Sequence, residues 1–142
     1  MWVNMKRIII VTHKKLALGL QDSLNFFTNM NDQITAIPAY EHDDNQFPDE
    51  IIKKKIVEFK NNNDQIFILT DLLGGSVNQH ILKFVDNNTF VITGVNLPLA
   101  LSILLSPYEY LTLNQVQKVV SEAKEQIILM NTYNSPNSED DE

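Results

Sequence analysis

The chain contains no cysteine, which excludes disulfides, thiol catalysis and cysteine-ligated zinc or iron. It also lacks a long hydrophobic run. The longest, Leu97-Pro-Leu-Ala-Leu-Ser-Ile-Leu-Leu105, carries Pro98 and Ser102 and falls well short of the roughly 20 residues that cross a bilayer. Near the N-terminus, Lys6 and Arg7 precede an apolar stretch that His13, Lys14 and Lys15 soon interrupt, so no secretory signal is readable. Together these absences predict a soluble, cytoplasmic protein. Clustered cations are scarce too: the formal charge is −7, and Glu139, Asp140, Asp141 and Glu142 supply four of those units. That balance argues against a nucleic-acid partner, because affinity for a phosphate backbone comes from grouped Lys and Arg. No glycine is followed by lysine and no GxGxxG occurs, so nucleotide binding has no positive support.

What is present is ordinary globular composition, 44% hydrophobic and 20% charged. A chain of 142 residues buries a real core without metal or disulfide support, so we expect one domain over residues 5–130 and a disordered acidic tail over 131–142. Met1 to Asn4 precede a second methionine, Met5, and read as an expression remnant or an upstream start, with no function assigned.

Arg7-Ile-Ile-Ile-Val-Thr12 is a β-branched run without alternation, the pattern of a strand buried on both faces of a parallel sheet. Leu16, Leu20, Leu24 and Phe27 then recur at helical spacing, with Asp22 and Asn25 on the other side. Ile34 to Ala39 reads as a second strand, and a polar loop follows from Glu41 to Gln46. Pro48 opens a helix whose buried face is Ile52, Ile56 and Phe59. Gln65-Ile-Phe-Ile-Leu-Thr70 is a third strand running directly into Asp71-Leu-Leu-Gly-Gly-Ser76. A helix is expected from about Val77 to Val85, a fourth strand from Thr89 to Thr93, and another helix beginning in Gly94-Val-Asn-Leu-Pro98. Thr112-Leu-Asn-Gln115 has the form of a capping box, with Val116, Val119, Val120 and Ala123 on the helix it opens. Ile127-Ile-Leu-Met130 continues that helix or forms a last strand; periodicity does not decide between them.

Alternating strands and helices joined by short loops predict an α/β, doubly wound fold with helices on both faces of a mainly parallel four-stranded sheet. In such sheets the functional crevice lies beyond the carboxyl ends of the strands, where winding changes direction. A 2-1-3-4 strand order puts that point between the first and third strands. His13 and Asp71 would then be neighbours despite their distance in sequence.

A neutral imidazole nitrogen is a nucleophile at cytosolic pH, and its phosphoramidate passes the group on readily. A carboxylate on one ring nitrogen fixes the tautomer and stabilises positive charge developing on the ring; Asp71 is placed for that. The plainer reading is a loop histidine and a turn-forming or helix-capping aspartate, and position alone leaves both open. Gly74, Gly75 and Ser76 lead into a helix, where converging backbone N–H groups favour an anion; taken alone, a plain glycine turn explains them as well. Thr12 is a further candidate through its hydroxyl or backbone. His42 and His80 lack metal-ligand spacing with a second histidine, and no metal or cofactor is implied. Lys6, Arg7 and Lys53-Lys-Lys55 read as scattered charges on solvated faces.

Ile8-Ile-Ile-Val-Thr-His13, Leu69-Thr-Asp-Leu-Leu-Gly-Gly-Ser76 and Gly94-Val-Asn-Leu-Pro98 together resemble the mannose-type IIA domains of the phosphoenolpyruvate-dependent sugar phosphotransferase system. The resemblance runs from about Met5 to Met130. It implies that His13 takes a phosphoryl group from the carrier HPr and gives it to a IIB component, which serves sugar uptake through membrane IIC and IID subunits. Asp71 matches the family's paired aspartate, Gly74, Gly75 and Ser76 its phosphate cradle, and Asn96 a position near the same crevice. Lys14 and Val77 stand where the family often has glycine and proline. A homodimer with an exchanged C-terminal strand is also implied, which favours a strand at Ile127-Ile-Leu-Met130. Three other readings remain: a regulatory domain switched by phosphorylation of His13, the phosphotransferase subunit of a dihydroxyacetone kinase, and an aspartyl-phosphate receiver using Asp71 with a divalent metal. The last lacks the acidic cluster it needs near the first strand.

Overall fold

A computed structural model describes residues 5–42 and 46–133. Expectations for residues 1–4, for part of the 41–46 loop and for residues 134–142 fall outside the described residues. The chain runs β1 (Lys6–His13), α1 (Leu16–Thr28), β2 (Ile34–Ala39), α2 (Asp49–Asn61), β3 (Gln65–Thr70), α3 (Ser76–Ile81), β4 (Thr89–Thr93), α4 (Leu97–Leu105) and α5 (Leu113–Lys124). The strands form a parallel sheet in the order β2-β1-β3-β4. Register sets His13 opposite Ala39, and Thr70 opposite both Val11 and Thr93, so the strands' carboxyl ends share one rim.

Each face of the sheet has its own core, as unalternated strands require. Ile8, Ile10, Phe67 and Leu69 pack under α1, α4 and α5 through Leu24, Leu99, Ile103 and Val116. Ile9, Val11, Ile66 and Ile68 pack under α2 and α3 through Ile52, Ile56, Phe59, Val77 and Ile81. Every residue of β3 is buried. At about 1.5–3 kcal/mol for each large aliphatic removed from water, these two layers supply the main drive to fold. Gln65, wholly buried, clamps the chain beyond α4: its Nε2 donates to Leu111 O at 2.8 Å and its Oε1 accepts from Leu111 N–H at 2.9 Å. The α5 capping box is formed by Thr112 and Gln115 as expected.

Several expectations need correction. The buried side of α1 is Ala17 and Leu24, with Leu20 partly covered, whereas Leu16 and Phe27 are more than half exposed. Thr12 Oγ1 accepts the Ala17 N–H at 2.7 Å and draws that small side chain onto the sheet, which rotates Leu16 outward. Lys6 is buried: its Nζ donates to Ile103 O at 2.7 Å and Ser106 O at 3.1 Å, tying the end of α4 to the start of β1. Arg7 bonds buried Asp64 at 2.8 Å and lies 4.6 Å over the Phe59 ring. Neither is a solvated charge, because their partners lie far along the chain. α3 ends at Ile81 and gives way to a 3-10 turn over Leu82–Phe84, leaving Val85 extended. Ile127-Ile-Leu-Met130 neither continues α5 nor forms a strand in the single chain, and among the described residues no strand pairs with it; its four side chains are exposed. Met130–Thr132 form a 3-10 turn.

Candidate functional site

β1 and β3 are adjacent, and each ends its buried run by delivering a polar residue to the rim. Asp71, one residue past β3, reaches across to the last residue of β1. Its Oδ2 accepts the His13 backbone N–H at 2.8 Å and stands 2.9 Å from His13 Nδ1, while its Oδ1 accepts the Leu72 N–H at 2.9 Å. Burial opposes ionisation of Asp71, but the bonds from the His13 N–H and ring, with the ring's charge, outweigh it and hold the carboxyl below its ordinary value. An ionised Asp71 has no proton to give, so the shared proton belongs to Nδ1, and in the neutral form of the ring the lone pair is then on Nε2. The His13 side chain is 38% exposed and Asp71 10%. The ring is therefore held from behind and reachable in front.

The turn after Asp71 closes one side of the ring. Gly74 has φ +78°, a left-handed conformation that favours glycine. A Cβ added to Gly75 would lie 3.6 Å from His13 Cε1, so the turn passes close to the imidazole before Ser76 opens α3. Thr70 Oγ1 donates to Asn78 Oδ1 at 3.3 Å and anchors α3 to β3.

Not every candidate converges. Thr12 is wholly buried with its hydroxyl holding the Ala17 N–H, so that side chain serves the start of α1. Asn96 caps α4, accepting the Leu99 N–H at 2.9 Å and donating to Ala123 O at 3.3 Å; these bonds join α4 to α5 and do not face His13. His42 is exposed beside Glu41, and His80 stacks on Phe47 at 4.2 Å. One neighbour was missed. Tyr40 directly follows β2, its ring centroid 5.7 Å from that of His13, and its hydroxyl donates to Ser76 Oγ at 3.2 Å. The available signal was an aromatic residue at the carboxyl end of a strand in register with β1.

Fold and site define a doubly wound domain with a carboxylate-oriented histidine at its topological switch point. Residues 7–123 match the family model of the PTS system fructose IIA component, EIIA-man, and the chain belongs to that family. Similar solved structures include a candidate phosphoenolpyruvate-dependent sugar phosphotransferase system permease from Klebsiella pneumoniae, 24% identical, TM-score 0.79, covering 93% of this chain and 97% of that one. A phosphotransferase system component EIIA from Streptococcus agalactiae is 24% identical, TM-score 0.71, with 91% and 100% covered. A PTS IIA protein associated with the fucose utilization operon of Streptococcus pneumoniae is 22% identical, TM-score 0.75, with 92% and 97% covered. At these identities the structures establish a shared fold. No curated protein sequence matches. Among the described residues no helix is long and apolar enough to cross a membrane.

Proposed function

We propose that the chain, over residues 5–130, is a cytoplasmic phosphoryl carrier in which His13 Nε2 accepts a phosphoryl group from phospho-HPr and passes it to a IIB component for sugar uptake through IIC and IID. Family membership supports a phosphoryl-carrier role in a sugar phosphotransferase system. The observation that supports the residue assignment is the Asp71 contact to Nδ1, which in the neutral ring leaves Nε2 as the nucleophilic nitrogen.

As the donor's N–P bond breaks, its electron pair returns to the donor nitrogen while the Nε2 lone pair forms the new bond. The ring proton stays on Nδ1, and the positive charge growing on the imidazole faces ionised Asp71 at 2.9 Å. The turn through Gly74, Gly75 and Ser76 would face the phosphoryl oxygens with backbone and hydroxyl donors. Catalysis is then positioning and electrostatics, with no cofactor or metal in the step. The aspartyl-phosphate reading is disfavoured because both Asp71 oxygens are already engaged. We include a homodimer in the proposal, supported by the exposed apolar segment after α5.

Intact mass after incubation with phosphoenolpyruvate, enzyme I and HPr tests this reading. An acid-labile adduct in wild type and none in His13→Ala is expected, with the adduct discharged by a IIB protein. Absence of the adduct from both proteins would overturn it; an adduct that no IIB protein discharges would favour a regulatory switch.

A further inference from the structure

Tyr40 lies beside the His13 ring, and nothing in the transfer step described so far employs it. Its ring is tilted 34° to the imidazole at 5.7 Å, and Phe47 backs it at 6.0 Å. Its φ is +57°, a left-handed conformation that is costly for a bulky side chain and persists only where the surroundings impose it. Here it turns the chain out of β2 so that the ring folds over the rim instead of continuing the strand. The hydroxyl then spans from β2 to α3, donating to Ser76 Oγ at 3.2 Å.

We infer that Tyr40 is a positioning residue for phosphoryl transfer, holding Ser76 so that the serine's single hydrogen points at the phosphoryl oxygens on His13 Nε2. The inference rests on the carrier reading of His13 and deepens it.

The direction of the bond carries the argument. Both hydroxyls donate and accept, but a phenol, with pKa near 10, is the more acidic of the two and the better donor. Ser76 oxygen therefore accepts, and its one hydrogen is left for a third group. A hydroxyl that accepts one hydrogen bond donates a stronger one. A Cβ built on Gly75, the residue before Ser76, would lie 3.6 Å from Cε1, the carbon bonded to Nε2, so the turn that carries the serine borders this side of the ring. The equatorial oxygens of the moving group hold its charge, and a donor fixed before their arrival costs no reorganisation. Without the phenol, the serine hydroxyl is free to rotate among its staggered positions. No proton crosses the pair: Tyr40 and Ser76 keep their hydrogens while the N–P bond to the donor breaks and the bond to Nε2 forms. Ser76 is exposed, so water competes for its hydrogen and the effect is a moderate one.

The test is a double-mutant cycle on the full chain. Single-turnover phosphorylation by phospho-HPr is followed by rapid quench for wild type, Tyr40→Phe, Ser76→Ala and the double variant. Tyr40→Phe keeps the ring, so its thermal midpoint stays at the wild-type value and reports intact packing. The expected result is a transfer rate at saturating donor about 3- to 10-fold lower in Tyr40→Phe, from the loss of one exposed hydrogen bond. The donor concentration for half-saturation is unchanged, and Tyr40→Phe causes no further loss once Ser76 is alanine. A wild-type rate in Tyr40→Phe, a change in half-saturation alone, or slowing that adds to that of Ser76→Ala overturns the role of Tyr40 while leaving His13 as the carrier. A wild-type chain that takes no phosphoryl group from phospho-HPr overturns the carrier reading and this inference with it.

Discussion

One oxygen of Asp71 holds His13 twice, at the backbone N–H (2.8 Å) and at ring Nδ1 (2.9 Å). The same contact fixes where β1 ends and which face of the imidazole is offered, so structural and chemical roles coincide in one carboxylate.

Replacing Asp71 by asparagine preserves shape but removes the charge behind the ring. Phosphorylation of His13 is expected to slow by roughly 10²-fold or more, read in the rapid-quench assay. Stability should respond as well. The folded carboxyl titrates below its unfolded value of about 3.9, so its contribution is complete above that pH and is lost as pH falls through the lower folded value. Urea midpoints of wild type and Asp71→Asn should therefore differ at pH 7 and converge below about pH 4. A gap that stays constant down to acid pH would contradict the assignment.

Lys6 predicts a pH dependence of the same sign, displaced to the alkaline range. Burial lowers its pKa from 10.5, so between the lowered value and 10.5 the unfolded chain binds more protons and stability rises with pH. Lys6→Met removes that rise. The measurement is the difference in urea midpoint between the two proteins as pH climbs from 8 toward 10.5; parallel curves would rule out a buried, burial-shifted amine.

Lys14 follows His13 with φ +55° and bonds Ala39 O through its N–H at 2.8 Å. Glycine adopts this conformation without steric cost, whereas a lysine pays for it. Lys14→Gly is expected to gain about 0.5–1 kcal/mol, the left-handed strain less glycine's larger unfolded-state entropy, visible as a higher thermal midpoint. A lower midpoint would mean the lysine side chain outweighs the backbone.

Ile127 and Leu129 are 80% and 67% exposed, while β4 is an edge of the sheet. Sedimentation of the full chain should show a dimer, and Ile127→Asp with Leu129→Asp should weaken self-association by on the order of 10²-fold or more, the cost of losing two buried aliphatics. A wild-type chain that stays monomeric at high concentration would refute the proposed dimer.

Much of the fold was legible because its determinants are local. β-branched runs bounded by polar turns marked β1, β3 and β4, and the Thr112 to Gln115 spacing marked the start of α5. Strand order is less local, yet right-handed crossovers leave few alternatives, and that was enough to bring His13 and Asp71 together on paper.

The sequence by itself determined the strands, the class of fold and the pairing of histidine with aspartate, because these follow from short-range pattern and a chirality rule. Tertiary structure alone decided which face of α1 is buried, since a hydroxyl on β1 draws in Ala17, too small to register in a hydrophobic pattern. It also decided that Lys6 lies inside, bonded to carbonyls nearly a hundred residues away, and that Tyr40 folds over the site. Each of these depends on where a distant partner comes to rest, and such distances are set only when both faces of the sheet have closed.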